Sequence, residues 1–305
     1  MKKNCVATIG CFDGVHRGHQ ALIGCVLALA RERGLQSMVM TFDRQPRELF
    51  DPDFRPQLLS TPEEKQAILK TLGVDRVVVL PFTHEMACLT AWEFMEHVLR
   101  DSYGVEVFVT GYDNRFGHNR SEGFEDYLHY GDELGIEVVR GEVVTFHGGE
   151  VPVSSSVIRQ LLSEGKVEEM PSCLTRPYSL SGQVVRGNHI GHELGFPTAN
   201  IEPSHPFKLI PAPGAYAVWV YADGDKMPAM MNIGTRPTFH GRRQTLEVNI
   251  IGFEGNLYGK TVGVEFVRRL RNEQYFASPE ALKAQLEEDR QRVIQLLNKI
   301  EESDR

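Results

Sequence analysis

The first half of the chain alternates short apolar runs with stretches whose apolar residues recur every three or four positions. Residues 5–9 make an apolar strand candidate. Residues 18–33 then carry Leu22, Val26, Leu29 and Ala30 on one helical face before Gly34 stops them. Residues 37–42 read as a second strand. Thr61-Pro62-Glu63-Glu64 is a capping box with proline at the first helical position, so a helix starts there and ends at Gly73. The run 77–80 is continuously apolar, the pattern of a strand covered on both faces. Thr90-Ala91-Trp92-Glu93 opens another helix; residues 106–110 predict a strand, 124–134 a helix and 137–144 a further strand. Repeated strand–helix–strand units predict a doubly wound parallel sheet with right-handed crossovers. Such sheets take ligands at the carboxyl ends of their strands.

Beyond Arg159 the pattern changes. Residues 160–169 read as one last helix, and residues 170–177 hold two prolines and little periodicity. That stretch marks a linker between a unit of residues 1–169 and a second of residues 178–305. In the second unit, residues 179–185, 215–221, 246–251 and 261–266 alternate in polarity between Gly and Pro turns, the signature of an antiparallel sheet or small barrel. Ser278-Pro279-Glu280 caps a closing helix with Leu282, Leu286, Val293, Leu297 and Ile300 in one apolar stripe. The fold class is α/β: a doubly wound parallel sheet followed by an antiparallel β-barrel with a closing helix.

Composition narrows the classes. The 305 residues are 41% hydrophobic and 24% charged, an ordinary globular balance, with no run long enough to cross a bilayer and no signal-peptide pattern. A net charge of −8 argues against wholesale nucleic-acid binding, although local donors can still hold a small polyanion. The 5 cysteines are scattered and odd in number, which predicts reduced thiols in a cytoplasm and no zinc site.

The candidate chemistry lies in two constellations. In the first, Gly10-Cys11-Phe12-Asp13-Gly14-Val15-His16-Arg17-Gly18-His19 leaves a strand and opens a helix. Its glycines allow a tight turn close to a ligand, and the free N–H groups at a helix start seat phosphate. His16 and His19, three apart, share a face of the first turn. The helix dipole keeps them neutral, yet each can donate a hydrogen bond to a phosphate oxygen. Two histidines alone also fit a plain surface turn; the ten-residue string in this context is far more specific.

That string resembles the HxGH signature of the nucleotidylyltransferase superfamily, in the G-x-F-D-G-x-H-x-G-H form of bacterial FMN adenylyltransferases. The resemblance implies that His16 and His19 are catalytic and that Gly10, Phe12, Asp13 and Gly18 meet ATP. The family's second phosphate motif, S-S-T-x-I-R at the start of a late helix, is matched by Ser154-Ser155-Ser156-Val157-Ile158-Arg159. It implies ATP contacts for Ser155, Ser156 and Arg159, with serine in place of threonine; by themselves the serines also read as a helix cap. Gly111-Tyr112-Asp113-Asn114-Arg115-Phe116-Gly117 looks like the family's G-x-[DN]-[FH]-x-F-G loop, implying a flavin contact for Asp113 and a nucleotide contact for Asn114. Thr41-Phe42-Asp43-Arg44-Gln45-Pro46 resembles T-F-x-P-H-P, expected beside the flavin at Phe42, but has Arg44 and Gln45 where the family has Pro and His.

The second constellation runs from Gly182-Gln183-Val184-Val185-Arg186-Gly187 into Gly191-His192-Glu193-Leu194-Gly195-Phe196-Pro197-Thr198-Ala199-Asn200. A loop with Gly187, Gly191 and Gly195 can lie against phosphates, and it is not a Walker A loop. It resembles the riboflavin kinase signature G-[RK]-x-L-G-F-P-T-A-N. The resemblance implies ATP contacts for these glycines and Pro197, and Mg²⁺ and phosphate contacts for Thr198 and Asn200, hard oxygen ligands that suit the ion. His192 replaces the usual basic residue. Asn232-Ile233-Gly234-Thr235-Arg236-Pro237-Thr238-Phe239 matches N-I-G-x-R-P-T-F. In Leu246-Glu247-Val248-Asn249-Ile250-Ile251, alternation alone makes Glu247 a solvated outward residue. The resemblance makes it the catalytic base instead. Asn249, Gly252 and Asn256 depart from the family's E-V-H and D-F-x-G-D-L-Y-G. Leu270-Arg271-Asn272-Glu273-Gln274-Tyr275-Phe276 looks like L-R-x-E-x-x-F, which places Asn232, Arg236, Arg271 and Phe276 at the flavin.

In order and over nearly the whole chain, these motifs resemble the bacterial bifunctional riboflavin kinase/FMN adenylyltransferase (FAD synthetase) family. The resemblance implies an HxGH-type sheet unit that adenylylates FMN to FAD with ATP, releasing pyrophosphate. It implies a riboflavin-kinase-type barrel that phosphorylates riboflavin to FMN with another ATP. Mg²⁺ would be the metal and small molecules the partners, with no nucleic acid and no membrane. Three rivals stay open at this stage: a kinase whose first unit has lost turnover, a nucleotidylyltransferase for another small phosphate, and a flavin-binding regulator.

Overall fold

The computed structural model describes residues 4–112, 114–145, 149, 152–186, 195–238 and 241–303, and only the backbone of 119, 236–238 and 241–243. The chain divides into two compact units, Met1–Ser155 and Ser156–Arg305.

In the first unit the order is β1 (Cys5–Ile9), α1 (Arg17–Arg33), β2 (Gln36–Phe42), α2 (Pro46–Phe50), α3 (Pro62–Thr71) and β3 (Arg76–Leu80). Then come α4 (His84–Cys88), α5 (Ala91–Glu93, continued by a π-helical stretch Phe94–Ser102), β4 (Val105–Thr110), α6 (Phe124–Leu134) and β5 (Glu137–Arg140). The strands pair in parallel in the order β3-β2-β1-β4-β5. Alternation along them builds two cores. Cys5, Ala7, Ile9, Met38 and Met40 face Met95, Leu99, Tyr127 and Leu134 of α5 and α6. Val6, Val39, Val107 and Val109 face Ile23, Val26 and Leu69 of α1 and α3. Because helices cover both faces, residues 5–9 of β1 and 37–41 of β2 are buried without a break. From β1 the chain moves to β2 on one side and later returns to β4 on the other. The carboxyl ends of β1 and β4 therefore flank the switch point where such sheets bind ligands.

Two expectations change here. The 77–80 run is not covered on both faces: β3 is the sheet edge, pairs only with β2, and leaves Val79 38% exposed. An apolar run alone does not distinguish a central strand from an edge one. The strand expected over 137–144 ends at Arg140, where the chain turns away and Gly141 N–H reaches back to Thr110 O at 2.8 Å.

The next helix, α7, spans Ser155–Ser163, beginning earlier than the expected 160–169 and stopping sooner. A 3₁₀ turn at Val167–Glu169 leads into α8 (Met170–Leu174), whose Met170, Cys173 and Leu174 are buried. β6 (Tyr178–Val185), β7 (Ala199–Pro203), β8 (Gly214–Ala222), β9 (Asp225–Thr238), β10 (Gly241–Ile250) and β11 (Thr261–Asn272) close an antiparallel barrel in the order β10-β7-β6-β11-β8-β9. Every second residue, including Tyr178, Leu180, Tyr216, Val218, Leu246, Val248, Val264 and Phe266, is buried. The outward Ala217 and Trp219 of β8 are buried too, because α9 (Pro279–Ser303) lays Val293 and Leu297 over them. The sequence reading missed β7 and β9; β9 contains Pro228, Gly234 and Pro237, which read as turns. No described helix is long and apolar enough to cross a membrane.

Candidate active sites

The first site grows from the loop between β1 and α1. Three of its residues have left-handed backbone, Phe12 (φ 49), Gly14 (φ 79) and Val15 (φ 42), two of them without the freedom of glycine. Such strain persists only where surroundings over-determine it, and the bonds are visible. Asp13 Oδ1 accepts the Leu59 and Ser60 N–H groups at 2.9 and 3.1 Å, and Ser60 Oγ accepts the Gly14 N–H at 3.0 Å. Ser155 Oγ donates to Asp13 O at 3.0 Å, and Thr41 Oγ1 to Cys11 O at 3.2 Å. The Asp13 carboxylate thus fastens the loop, and the Phe12 ring is buried, so each could offer a ligand chiefly its backbone.

The loop delivers two histidines to the first turn of α1. His16 is the N-cap: its Nδ1 accepts the His19 N–H at 3.3 Å, which leaves the proton of a neutral ring on Nε2. The two rings stack 3.5 Å apart at 21°, and Phe12 meets His19 edge-on at 5.1 Å. Burial, then His16, then Lys65 hold His19 well below the ordinary imidazole pKa. Its Nδ1 is buried, with no hydrogen-bond partner among the described residues. A Cβ at Gly18 would meet the His16 ring at 3.2 Å, so glycine there spares the ring a tight contact.

Beside Gly10 opens a cavity of about 530 Å³, with Phe42, Phe82, Met86 and Phe116 on its apolar walls and Asn114, Arg115 and Arg120 as polar lining. Asn114 Nδ2 donates to Ile9 O at 3.0 Å, joining the β4 loop to the end of β1. Arg44 pairs with Asp43 at 3.4 Å, Asp43 Oδ1 accepts the Phe82 N–H at 2.9 Å, and Gln45 caps α2 through its N–H on Glu48 at 2.7 Å. These departures therefore shape the cavity wall at Phe42, Pro46 and Phe82. Ser156 and Arg159 lie on α7 in the second unit. Asp113 lies outside the described residues. Sequence reading missed Phe82 and Met86, whose clue was only the apolar residues after β3, and gave no role to Arg115, although it lies within the Gly111–Gly117 motif.

In the second unit Glu247 on β10 stands opposite Asn232 on β9 and Asn200 on β7. Directly paired residues share a face, so one polar row crosses three strands. It borders a cavity of about 280 Å³ lined by Thr198, Asn232, Glu247, Asn249, Arg271, Phe276 and residues of α9. Asn249 Nδ2 donates to Pro197 O at 2.7 Å, fixing the turn that carries Thr198. Arg271 bonds Asp289 Oδ2 through Nε at 2.9 Å and Nη2 at 2.8 Å, and its guanidinium lies 5.5 Å from the Phe276 ring centre. Glu273 accepts both the N–H and the hydroxyl of Thr235 at 3.2 Å. Gly252 sits at φ 74, a backbone that explains glycine there, and Asn256 Oδ1 accepts the Tyr258 N–H at 2.9 Å. Gly195 lies in the loop before β7. Gly187, Gly191, His192 and the Arg236 side chain lie outside the described residues. Asp289 was missed, a polar residue inside an otherwise apolar stripe being its one signal.

A family model described as FAD synthetase matches residues 1–157, and one described as riboflavin kinase matches residues 174–297. Proteins named bifunctional riboflavin kinase/FMN adenylyltransferase are similar over most of the chain. That of Escherichia coli K12 is 40% identical over 94% of this chain and 91% of its own. The Pseudomonas fluorescens protein is 38% identical over the same shares, and that of Bacillus subtilis 32% over 97% and 93%. A solved structure from Streptococcus pneumoniae, described as a macrolide-efflux protein, is 34% identical with a TM-score of 0.88 over 95% of this chain and 94% of its own.

Proposed function

The chain belongs to the family of bifunctional riboflavin kinases/FMN adenylyltransferases, and from that premise we propose which residues carry each step. As a transferase it phosphorylates riboflavin to FMN with ATP and adenylylates FMN to FAD with a second ATP, releasing pyrophosphate. We propose residues 1–169 as the adenylyltransferase part, 170–177 as linker and 178–305 as the kinase part; the family matches end at 157 and resume at 174, and the compact units divide earlier, between Ser155 and Ser156.

In the kinase step Glu247 accepts the proton of the riboflavin 5′-hydroxyl as that oxygen attacks the γ-phosphorus and ADP leaves. The observation that carries this reading is the cross-strand row Asn200–Glu247–Asn232 beside the cavity. The Thr198 hydroxyl, the Asn200 amide oxygen and the nearby carboxylate form a hard-oxygen set that fits Mg²⁺, and Thr198 and Asn200 would hold it. When bound, the ion neutralises phosphate charge. Gly187, Gly191, Gly195 and Pro197, which match the riboflavin kinase glycine motif, are the proposed contacts of the triphosphate. Asn232, Arg236, Arg271 and Phe276 receive the flavin.

In the adenylylation step an FMN phosphate oxygen attacks the α-phosphorus of ATP and pyrophosphate leaves, so no proton needs to be abstracted. Catalysis rests on alignment and on donors waiting for charge. His16 and His19 supply ring N–H groups. Gly10, Phe12, Asp13 and Gly18 supply loop backbone, Asn114 orients the β4 loop, and Ser155, Ser156 and Arg159 hold phosphate. The cavity beside Phe42 receives the isoalloxazine ring, and the motif match proposes Asp113 as a further flavin contact. Scattered, unbridged cysteines support a cytoplasmic setting.

Flavin products from riboflavin, ATP and Mg²⁺, separated by chromatography, test the assignment. His19→Ala is expected to abolish FAD formation and spare FMN formation. Glu247→Gln is expected to stop riboflavin phosphorylation and spare adenylylation of supplied FMN. Equal loss of both steps in either variant refutes two independent sites.

A further inference from the structure

Resting on the reading of residues 10–19 as the triphosphate seat, we propose that Lys65 is a positioning residue of FMN adenylylation. Its buried ammonium clamps that loop to the end of β2 and places a positive charge beneath the bound polyphosphate.

Lys65 projects from the inner face of α3, beside Leu69, and is only 9% exposed. Lysine is rarely buried so deeply unless its charge is matched. The three ammonium protons meet three acceptors: Cys11 O at 3.1 Å, Thr41 Oγ1 at 2.8 Å and Phe42 O at 3.3 Å. All three are neutral. Among the described residues no carboxylate pairs with the ammonium directly. Asp13 and Asp43 act on it only at longer range, each with Oδ1 engaged by backbone N–H groups.

The acceptors join two segments that matter. Cys11 belongs to the strained loop and, with Gly10, lines the cavity at the end of β1; Phe42 lines the same cavity from the end of β2. One ammonium therefore sets the spacing between the nucleotide loop and the flavin wall. A clamp alone needs no net charge, because a neutral donor or a well-packed apolar side chain serves that purpose with less desolvation. A charge has a use where a polyanion must settle in a chain of net charge −8. The same charge helps keep His19 neutral, after burial and His16, so positive potential is supplied from below while the imidazole remains a neutral hydrogen-bond donor. Burial lowers the Lys65 pKa itself, with Cys11, Asp13 and Asp43 opposing.

The test uses the full chain, with riboflavin phosphorylation as internal control. Lys65→Gln keeps donors without charge, Lys65→Met removes both, and Lys65→Arg keeps the charge. The neutral variants are expected to lower kcat for adenylylation of supplied FMN by about 30-fold or more while KM for FMN moves less than about threefold. Lys65→Arg is expected to stay within about tenfold of the parent, and all three to phosphorylate riboflavin normally. Lys65→Gln retaining kcat within about threefold, or Lys65→Arg falling as low as Lys65→Gln, overturns the proposal; should Lys65→Met not fold, the other two decide it. His19→Ala, assayed alongside, separates the failures. If it leaves FAD formation intact, the reading of the loop is wrong. If it abolishes FAD formation while Lys65→Gln keeps it, only the role of Lys65 is wrong.

Discussion

Asp289 offers a sharp test of how the closing helix serves the kinase cavity. It is 1% exposed, on α9, and is bonded by Arg271 through Nε at 2.9 Å and Nη2 at 2.8 Å; Gln285 Nε2 donates to its other oxygen at 3.1 Å. The pair as a whole contributes little against an apolar replacement, because both ions lose hydration. Breaking it is different: Asp289→Ala leaves the Arg271 guanidinium buried and unpaired, which costs about 3–5 kcal/mol. In a unit of this size each kcal/mol moves Tm by about 2–4 °C, so the second unit is expected to lose roughly 6–20 °C. The chain has 2 tryptophans, so in a Trp92→Phe background Trp219, packed against Val293 and Leu297, reports on α9 by its fluorescence. The double variant Arg271→Met/Asp289→Leu removes both charges and is expected to regain most of the lost Tm. Its KM for riboflavin is expected to stay raised by about tenfold, because Arg271 no longer flanks Phe276, the proposed flavin contact. A fall of less than about 3 °C for Asp289→Ala refutes the buried-pair argument, and a normal riboflavin KM in the double variant refutes the role of Arg271.

Two further outcomes are expected. Asn249→Ala removes the 2.7 Å bond to Pro197 O; a bond of about 0.5–1.5 kcal/mol corresponds to an about 2- to 12-fold lower kcat/KM for ATP in riboflavin phosphorylation. Asn249→Asp, which sets a carboxylate against that carbonyl, is expected to lose more, and initial rates over a range of ATP concentrations measure both. The lowered pKa of His19 gives the first unit an acid-sensitive stability. In the unfolded chain this histidine takes up its proton near pH 6.5, whereas in the folded one it does so only well below. The unfolded state then binds more protons, and stability falls as pH drops below about 6.5. His19→Gln is expected to flatten the difference between urea midpoints at pH 7.5 and 5.5; an unchanged difference counts against burial as the cause.

Much of this was legible because local rules and tertiary demands coincide. Thr61 with Glu64 and Thr90 with Glu93 each make both bonds of a capping box, and Gly34 and Gly135 end α1 and α6 as their positions suggest. The string from Gly10 to His19 marks its loop by glycine and a capping histidine, but the left-handed backbone at Phe12 and Val15 is held by Ser60, Thr41 and Ser155 from elsewhere in the chain. Misreadings arose where a residue answers to distant partners. Pro228 and Pro237 read as turn signals until β8 and β10 pair with the strand around them. The apolar 77–80 run carries no mark of being an edge.

The chain by itself determined the order of elements, the two-unit plan and the chemistry of each motif, since periodicity, capping and glycine placement act within a few residues. Only the folded chain decided what stands across from what: Asn200 and Asn232 beside Glu247, Asp289 beneath Arg271, Lys65 under Cys11. These juxtapositions join residues that are 15 to 54 positions apart in the sequence, and they are set by sheet pairing and by the desolvation of buried charge. Those forces depend on the whole fold, so no local pattern records them.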